Sequence, residues 1–225
     1  MGNYRFRRHH GDPTKSIVIC VDYADHLAKT IVNARHFSET LIVTAPHDAA
    51  TREYPNTYVT DAFYRNGAHF NKGAAMEEAF NVIGRAGWIC TWDADILLPD
   101  DLQLPELDPW TLYSAPRRMD DGAISREWGF PGYFHIFNAI AHAPPWYDVT
   151  FKHAGGGDGY FASRFAKREY LPIEVRHFGP RDTNWCGRDN PVMAEMIAGR
   201  DADGAAVWNE RVNDRIGSPG SDFRL

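Results

Sequence analysis

The chain has 225 residues, of which 44% are hydrophobic and 24% are charged, as in an ordinary globular domain. This composition excludes a disordered chain, a collagen-like fibre and a small scaffold stapled by disulfides. The formal net charge of -6 argues against a protein that binds nucleic acid through phosphate contacts alone. No apolar run approaches the roughly 18 residues of a membrane span, and the basic N-terminus lacks the apolar core of a secretory signal. We therefore expect a cytoplasmic protein, with a basic arm over residues 1–15 and a single domain over residues 16–225.

Apolar, β-branched runs alternate with amphipathic segments through the first hundred residues. The pattern predicts strands at 16–21, 40–44, 57–60 and 87–92, and helices at 24–37 and 73–85. Strands that alternate with helices in this way form a parallel sheet with covering helices.

The second half of the chain contains shorter elements and most of the tryptophans and prolines. The predicted strands are 111–115, 133–137 and 171–175, and the predicted helices are 158–167 and two more after Pro191. We predict an α/β fold with a mostly parallel central sheet flanked by helices, and a second half that builds the functional site.

Three cysteines are too few for a disulfide framework. Cys20 and Cys90 each lie in an apolar run and are predicted to be buried thiols, whereas Cys186 lies in a polar segment. This use of cysteine favours a reducing compartment.

Two carboxylates follow the fourth predicted strand in the sequence Trp92-Asp93-Ala94-Asp95. Side chains at i and i+2 of an extended segment project to one side, and α/β sheets bind ligands at the carboxyl ends of their strands. Such carboxylates can hold a divalent metal ion that neutralises a diphosphate. The alternative is a solvated acidic turn that leads into a helix capped by Asp100.

Two further segments carry groups that suit an anion or a proton acceptor. Asn71 and Lys72 precede a predicted helix, and a lysine beside backbone amides at a helix N-terminus forms an anion site. Gly156 and Gly157 precede Asp158, where the dipole of another predicted helix favours an ionised carboxylate suited to be a general base. Each segment is also compatible with an ordinary polar helix start.

His177 closes a predicted strand region just before Gly179-Pro180-Arg181. It is a candidate third metal ligand, and a structural histidine is the alternative. None of the ten histidines pairs with cysteines at zinc-ligand spacing, which argues against a structural zinc site.

Aromatic residues cluster between the Asp-x-Asp segment and Asp158, with Trp185 beyond them. The members of the cluster are Trp128, Phe130, Tyr133, Phe134, Trp146 and Tyr147. Aromatic faces suit sugar rings and unstacked bases, although most of these side chains are expected in the core.

Taken in this order, the four motifs resemble the GT-A glycosyltransferases, particularly family 2 and the related galactosyltransferase-like C-terminal segments. The resemblance covers residues 16–188. Phe-Asn-Lys-Gly at the helix start is similar to the family's Asn/Lys/Gly-Ala segment, and Trp-Asp-Ala-Asp to its metal-binding Asp-x-Asp. Gly-Gly-Gly-Asp is similar to the catalytic-base motif, and His177 to the late histidine ligand. The chain departs from the family in lacking a second acid beside Asp158 and in carrying Thr44-Ala45 where an acidic pair is common.

The resemblance implies a metal-dependent, inverting transfer of a sugar from a nucleotide sugar, such as UDP-glucose, to an acceptor hydroxyl. It implies that Asp158 is the catalytic base. Nucleotide-sugar binding is implied for Asp22, Thr44, Asn71, Lys72, Asp93 and Ala94. Ligation of Mn²⁺ or Mg²⁺ is implied for Asp93, Asp95 and His177. Contact with the sugar or acceptor is implied for Trp128, Tyr133, Gly156, Gly157, Arg181 and Trp185.

Three other classes of protein share parts of this pattern. A sugar-phosphate nucleotidyltransferase carries a Gly-rich, Arg-containing loop after its first strand, where this chain has Val21-Asp22-Tyr23. A dinucleotide-dependent oxidoreductase needs the GxGxxG element, which is absent from this sequence. A non-catalytic, metal-dependent sugar-binding protein is the non-enzymatic alternative, and the parallel start of the sheet disfavours it.

The sequence leaves the acceptor open between DNA and a carbohydrate or protein. Compact glycosyltransferases of this kind resemble phage enzymes that glycosylate hydroxymethylated pyrimidines in DNA inside the host cytoplasm. Residues 161–188 hold six Lys/Arg against three acids, and the N-terminal arm adds more arginines. Both stretches can line a groove that follows a DNA backbone, with a flipped base entering among Trp128, Tyr133 and Trp185.

Overall fold

The computed structural model describes residues 15–125, 130, 132–151 and 157–179, and these contain eleven strands and four α-helices. The strands are β1 Lys15–Ile19, β2 Glu39–Thr44, β3 Thr57–Val59, β4 Trp88–Asp93, β5 Ile96–Leu97, β6 Thr111–Ser114, β7 Arg117–Arg118, β8 Ile124–Ser125, β9 Phe134–Asn138, β10 Lys167–Tyr170 and β11 Val175–His177. The helices are α1 Ala24–Thr30, α2 Ala49–Arg52, α3 Lys72–Ile83 and α4 Gly157–Ser163. Short 3₁₀ turns cover Ile31–His36, Arg65–Gly67 and Ala139–Ala141.

A seven-stranded sheet in the order β10-β6-β9-β4-β1-β2-β3 forms the centre of the fold. β1 to β4 run parallel, β9 is antiparallel to both β4 and β6, and β10 is parallel to β6. A second sheet has the order β5-β11-β7-β8, and the chain enters it at β5, directly after β4. The predicted α/β class, with a mostly parallel central sheet flanked by helices, is confirmed.

The central strands carry buried apolar runs, such as residues 17–19 of β1, because both faces of the sheet are covered. Ile17 packs into one core cluster with α3, and the next residue, Val18, packs into another cluster with Leu27 of α1. Both Ile17 and Val18 are fully buried. This two-sided burial accounts for the continuous apolar run that predicts β1 from the sequence.

Three predicted elements differ from the structure in extent or position. The predicted helix 24–37 is α-helical only as far as Thr30, and β-branched residues with an asparagine, which favour α-helix weakly, follow as a 3₁₀ turn. The predicted helix 158–167 ends at Ser163. The predicted strand 171–175 is wrong, because β10 ends before it and β11 begins at its last residue. Pro172, which has no N–H to donate, lies in this gap.

The predicted burial of two cysteines is confirmed, since Cys20 and Cys90 are free and buried. Burial raises the pKa of Cys20 to about 12, so its thiol stays protonated and unreactive near neutral pH. No helix in the described ranges has both the length and the apolar character needed to span a bilayer. Of the predicted basic arm over residues 1–15, Lys15 belongs to β1, and residues 1–14 lie outside the described residues. Cys186 and the predicted helices after Pro191 also lie outside them.

Candidate active site

A lysine at the start of α3 joins two carboxylates at the carboxyl end of β4. Lys72 Nζ donates to Asp93 Oδ1 at 2.8 Å and to Asp158 Oδ2 at 3.4 Å. A third bond runs from the same nitrogen to the Gly132 carbonyl oxygen at 3.1 Å. The Lys72 side chain is 12% exposed and that of Asp158 is 21% exposed, so the cluster lies just beneath the surface. The structure therefore brings together three residues that the sequence singled out separately.

The charges in this cluster influence one another strongly. Burial alone would lower the pKa of Lys72, but the carboxylates of Asp158 and Asp93 outweigh burial and raise it. Burial raises the pKa of Asp93 to about 6, against the opposing effect of Lys72. The carboxylates of Asp95 and Asp158 add to that rise. The ammonium is thus charged at neutral pH, and the cluster has an excess of acids over bases.

Asp95 and His177 form a second pair beside this cluster. Pairing of β5 with β11 brings them together, and His177 Nε2 lies 3.3 Å from Asp95 Oδ2. The Phe178 N–H also donates to the Asp95 carbonyl oxygen at 2.8 Å, which fixes the backbone of the two segments. The imidazole is 8% exposed and the carboxylate 21% exposed, so both are partly shielded from water.

The donor atoms of this pair suit a divalent cation. Within the described ranges, no group of three His, Cys, Asp or Glu side chains is arranged to hold a metal ion. A divalent ion that acts on phosphates, however, is held by one or two protein ligands and completes its shell with phosphate oxygens and water. One carboxylate and one imidazole that converge at 3.3 Å fit that requirement, and the mixed set suits Mn²⁺.

The loop between Asp93 and Asp95 is anchored from α1 and the turn after it. The Ala94 N–H donates to the Ile19 carbonyl at 3.2 Å, and the Ala94 carbonyl accepts from the Thr30 hydroxyl at 2.6 Å.

Asn33 holds the residues that follow this loop. Its side-chain amide donates to the Ile96 carbonyl, and its side-chain oxygen accepts from the Leu98 N–H. Sequence reasoning missed Thr30 and Asn33, whose only signal is a polar residue at a buried position. No helix follows at Asp100, whose carboxylate pairs with Arg35.

Polar groups also gather at the ends of β1 and β2. Asp22 has a φ of 62°, and its N–H donates to Asp48 Oδ2 at 2.8 Å. Its carboxylate lies 3.1 Å from His47 Nε2, and the His47 ring lies 5.5 Å from the Tyr64 ring. Asp22 therefore keeps a carboxylate at the sheet edge beside a half-exposed imidazole and an aromatic ring.

Asp48 is the anchor of this edge, and sequence reasoning missed it. It accepts from the Thr44 hydroxyl at 3.0 Å and caps α2 through the Thr51 N–H at 3.0 Å. Burial would raise the pKa of Asp48, but hydrogen bonds from Thr51, Asp22 and Thr44 outweigh burial and lower it. An aspartate directly before a short helix is the available signal. Thr44 is fully buried, so its hydroxyl is committed to Asp48.

Two other predicted ligand residues have their polar atoms engaged inside the protein. Asn71 caps α3 through the Ala74 N–H at 2.8 Å and donates to the Val149 carbonyl at 2.7 Å. Tyr133 is buried, and its hydroxyl donates to the Ala115 carbonyl at 2.6 Å. Their roles in binding nucleotide or acceptor stay predictions, and both side chains have a clear structural use.

The remaining aromatic and glycine predictions divide into core residues and residues outside the described ranges. Phe134, Trp146 and Tyr147 are buried in the core, as expected for most of the cluster. Phe130 stacks on Tyr170 with ring centroids 4.6 Å apart. Gly157 is the first residue of α4. Trp128, Gly156, Arg181 and Trp185 lie outside the described residues.

No protein-family model and no curated protein matches this chain. Solved structures similar to it include the galactosyltransferase LgtC in complex with donor and acceptor sugar analogues, at 15% identity and a TM-score of 0.42 over 83% of this chain and 95% of that one. The inositol-1-phosphate CTP transferase from T. maritima is similar at 8% identity and a TM-score of 0.48, over 84% and 96% of the two chains. A glycosyltransferase involved in glycosylation of the major capsid of PBCV-1 is similar at 10% identity and a TM-score of 0.39, over 82% and 100%.

Proposed function

We propose that this protein is a metal-dependent, inverting glycosyltransferase that moves a sugar from a nucleotide sugar, such as UDP-glucose, to an acceptor hydroxyl. The observation that carries the proposal is the placement of Asp158 and Asp93 on one ammonium group, 3.4 Å and 2.8 Å from it. A partly exposed carboxylate suited to proton transfer thus lies next to the Asp-x-Asp loop, and Asp95 of that loop pairs with His177 of β11. The ordered motifs that resemble GT-A glycosyltransferases support the same assignment.

Asp158 would act as the general base. Its carboxylate would accept the proton of the acceptor hydroxyl while that oxygen bonds to the anomeric carbon of the sugar. The bond from the anomeric carbon to the diphosphate breaks at the same step, and the nucleoside diphosphate leaves. Attack from the face opposite the leaving group inverts the configuration at that carbon.

Asp95 and His177, with Asp93 nearby, would hold Mn²⁺ or Mg²⁺. When bound, the ion supplies a Lewis acid that neutralises charge on the departing diphosphate. Asp22 follows β1, and its carboxylate lies 3.1 Å from His47, which follows β2. Because open α/β sheets bind ligands at this edge, both side chains would contact the nucleoside.

The acceptor class is the finer part of the proposal. The sequence leaves hydroxymethylated DNA open as an acceptor that would follow the basic stretch over residues 161–188 and the N-terminal arm. In its described part, Lys167 lies 3.3 Å from Asp108, and Arg176 lies 3.7 Å from Asp120. Because these bases are balanced by acids, we place a carbohydrate hydroxyl ahead of hydroxymethylated DNA as the acceptor.

A donor screen tests the function. UDP- and GDP-sugars are added to the protein with Mn²⁺ or with EDTA, and the melting temperature and release of nucleoside diphosphate are measured. A donor at 100 times its dissociation constant should add about 2.7 kcal/mol to the free energy of unfolding. We expect both stabilisation and release with Mn²⁺ and neither with EDTA.

The variant Asp95→Ala should lose the Mn²⁺-dependent part of both signals. Asp100→Ala, at an exposed aspartate just beyond the site, is the matched control and should keep them. Stabilisation without any release of nucleoside diphosphate or transfer would indicate the sugar-binding alternative. The absence of both signals with every donor would show that the proposed function is wrong.

A further inference from the structure

Lys72 has no hydrogen-bond donor left for a ligand. A lysine ammonium carries three N–H donors and no acceptor. In the structure these three are used by Asp93 Oδ1, the Gly132 carbonyl and Asp158 Oδ2, at 2.8, 3.1 and 3.4 Å. All three partners belong to the protein. The resemblance implies that Lys72 binds the nucleotide. In the structure, however, protein acceptors use all three N–H donors of its ammonium group.

The absence of a side chain at Gly132 leaves space for the Asp158 carboxylate. A Cβ atom at position 132 would overlap Cγ and both carboxylate oxygens of Asp158, well inside a normal contact distance of roughly 3.5 Å. The backbone of Gly132 is not in the left-handed region, so an alanine would be acceptable there on backbone grounds. The missing side chain thus serves to make room for the carboxylate, and not to relieve a strained turn.

The segment that carries Gly132 is held on both sides of it. The Tyr133 carbonyl accepts from the Asp93 N–H at 3.0 Å. The Phe130 carbonyl lies 2.8 Å from Nε2 of His135, which must donate because a carbonyl can only accept. His135 is fully buried, so this contact cannot be exchanged easily for one with water. The carbonyl of Gly132 and the space at its Cα are consequently fixed relative to β4 and β9.

We propose that Lys72 and Gly132 are positioning residues that together set the place of the Asp158 carboxylate. The Lys72 ammonium attracts one oxygen of the Asp158 carboxylate. Because Gly132 has no side chain, that carboxylate can lie close to the backbone segment whose carbonyl Lys72 also binds. Because the same ammonium bonds to Asp93, the position of the base is tied to the Asp-x-Asp loop on the donor side. This inference rests on the proposed function, because it takes Asp158 to be the base.

The test compares Gly132→Ala and Lys72→Met with the wild type. A carboxylate displaced by about 1 Å should lower kcat for sugar transfer by about 10²-fold. The dissociation constant of UDP with Mn²⁺, measured by titration calorimetry, should stay within about twofold of the wild-type value, because neither residue binds the nucleotide. Lys72→Arg, which keeps the charge and its donors, should recover part of the loss in kcat. Lys29→Met, at an exposed lysine of α1, should leave kcat unchanged.

The outcomes separate the two proposals. A wild-type protein that turns over no nucleotide sugar would overturn the proposed function and this inference with it. Wild-type turnover with unchanged kcat in Lys72→Met would overturn the inference alone. Loss of UDP binding in Lys72→Met with kcat retained at saturating donor would make Lys72 a nucleotide ligand. If Gly132→Ala does not fold, as judged by circular dichroism, the kcat of Lys72→Met and Lys72→Arg decides.

Discussion

At the scale of single residues, Asp158 combines a fixed position with access to solvent. Lys72 Nζ lies 3.4 Å from one carboxylate oxygen, and the 21% exposure of the side chain leaves room for an acceptor hydroxyl. Asp93 shares the lysine and lies closer to its ammonium, at 2.8 Å against 3.4 Å for Asp158. We assign the base to Asp158 because it follows the Gly-Gly-Gly segment that resembles the catalytic-base motif, whereas Asp93 belongs to the Asp-x-Asp loop.

The substitution Asp158→Asn tests this assignment. It keeps the shape of the side chain and removes the proton acceptor, so kcat should fall by roughly 10²–10⁴-fold. UDP and Mn²⁺ should still stabilise the variant against heat, as they do the wild type. Asp101→Asn, at an exposed carboxylate, is the control and should have the wild-type kcat. A higher KM with unchanged kcat would instead make Asp158 a binding residue.

His135 predicts a specific dependence of stability on pH. Burial lowers its pKa to about 4, from an ordinary value near 6.5. Between these pH values the unfolded chain binds a proton that the folded protein does not. The free energy of unfolding should therefore fall, as pH falls from 6.5 towards 4, by about 1.4 kcal/mol per pH unit from this residue. Above pH 6.5 the contribution is complete.

Urea denaturation at pH 7, 6 and 5 measures this effect in the wild type and in His135→Gln. The difference in unfolding free energy between the two proteins should shrink as the pH falls, because only the wild type carries the histidine. Ile136→Val, in the same buried strand, should differ from the wild type by a constant amount. A pH-independent difference for His135→Gln would contradict this account, because it would show that the histidine has the same pKa in the folded and unfolded states.

At the scale of elements, one carboxylate fastens α3 to the segment before α4. Glu77 Oε1 accepts from the N–H groups of both Trp146 and Tyr147 at 2.7 Å, and Oε2 accepts from Arg85 at 2.7 Å. Arg85 in turn lies 4.8 Å over the Trp146 ring. Because Lys72 begins this helix, the contact also helps to hold the amino end of α3 near the candidate site.

Glu77→Ala should destabilise the protein by about 2–4 kcal/mol, since it leaves two buried backbone donors without their acceptor and removes the carboxylate partner of Arg85. Glu77→Gln, which retains one oxygen acceptor, should cost less. The exposed Val82 of the same helix supplies the control, and Val82→Ala should change stability by less than about 0.5 kcal/mol. Equal stability of Glu77→Ala and Val82→Ala in thermal denaturation would contradict this account.

The sequence predicts elements better than side-chain partners. Strands covered on both faces, such as β1, carry a continuous apolar run, here at residues 17–19, which makes them recognisable in the chain. A lysine at a helix N-terminus, such as Lys72, is compatible with any anionic partner. Only the tertiary contacts show that its N–H donors bond to two protein carboxylates and a carbonyl. Asp95 meets His177 through pairing of β5 and β11, which are two and three residues long and too short to be predicted. Thr30 and Asn33 escaped prediction because their partners are backbone groups more than sixty residues away.

At the scale of the whole molecule, charge bears on the acceptor. The chain has 24 Lys and Arg against 30 Asp and Glu. In the described part of the basic stretch, Lys167 contacts both Asp108 and Glu169. Exposed pairs of this kind contribute only about 0–1 kcal/mol to stability, but each acid offsets the charge of the base that it contacts and so weakens the attraction of a phosphate backbone at that point.

Salt dependence then separates the two acceptor classes. Radiolabelled donor sugar is offered with simple glycosides, with DNA that contains 5-hydroxymethylcytosine and with unmodified DNA, at 50 and 200 mM NaCl. We expect label on a glycoside, at a rate that changes by less than about twofold with salt, because a neutral acceptor releases no counterions. A DNA acceptor held by six to ten phosphate contacts would lose roughly 10³–10⁵ in affinity over the same range. Label confined to the hydroxymethylated DNA, with such a loss, would overturn the carbohydrate assignment and leave the proposed chemistry at Asp158 in place.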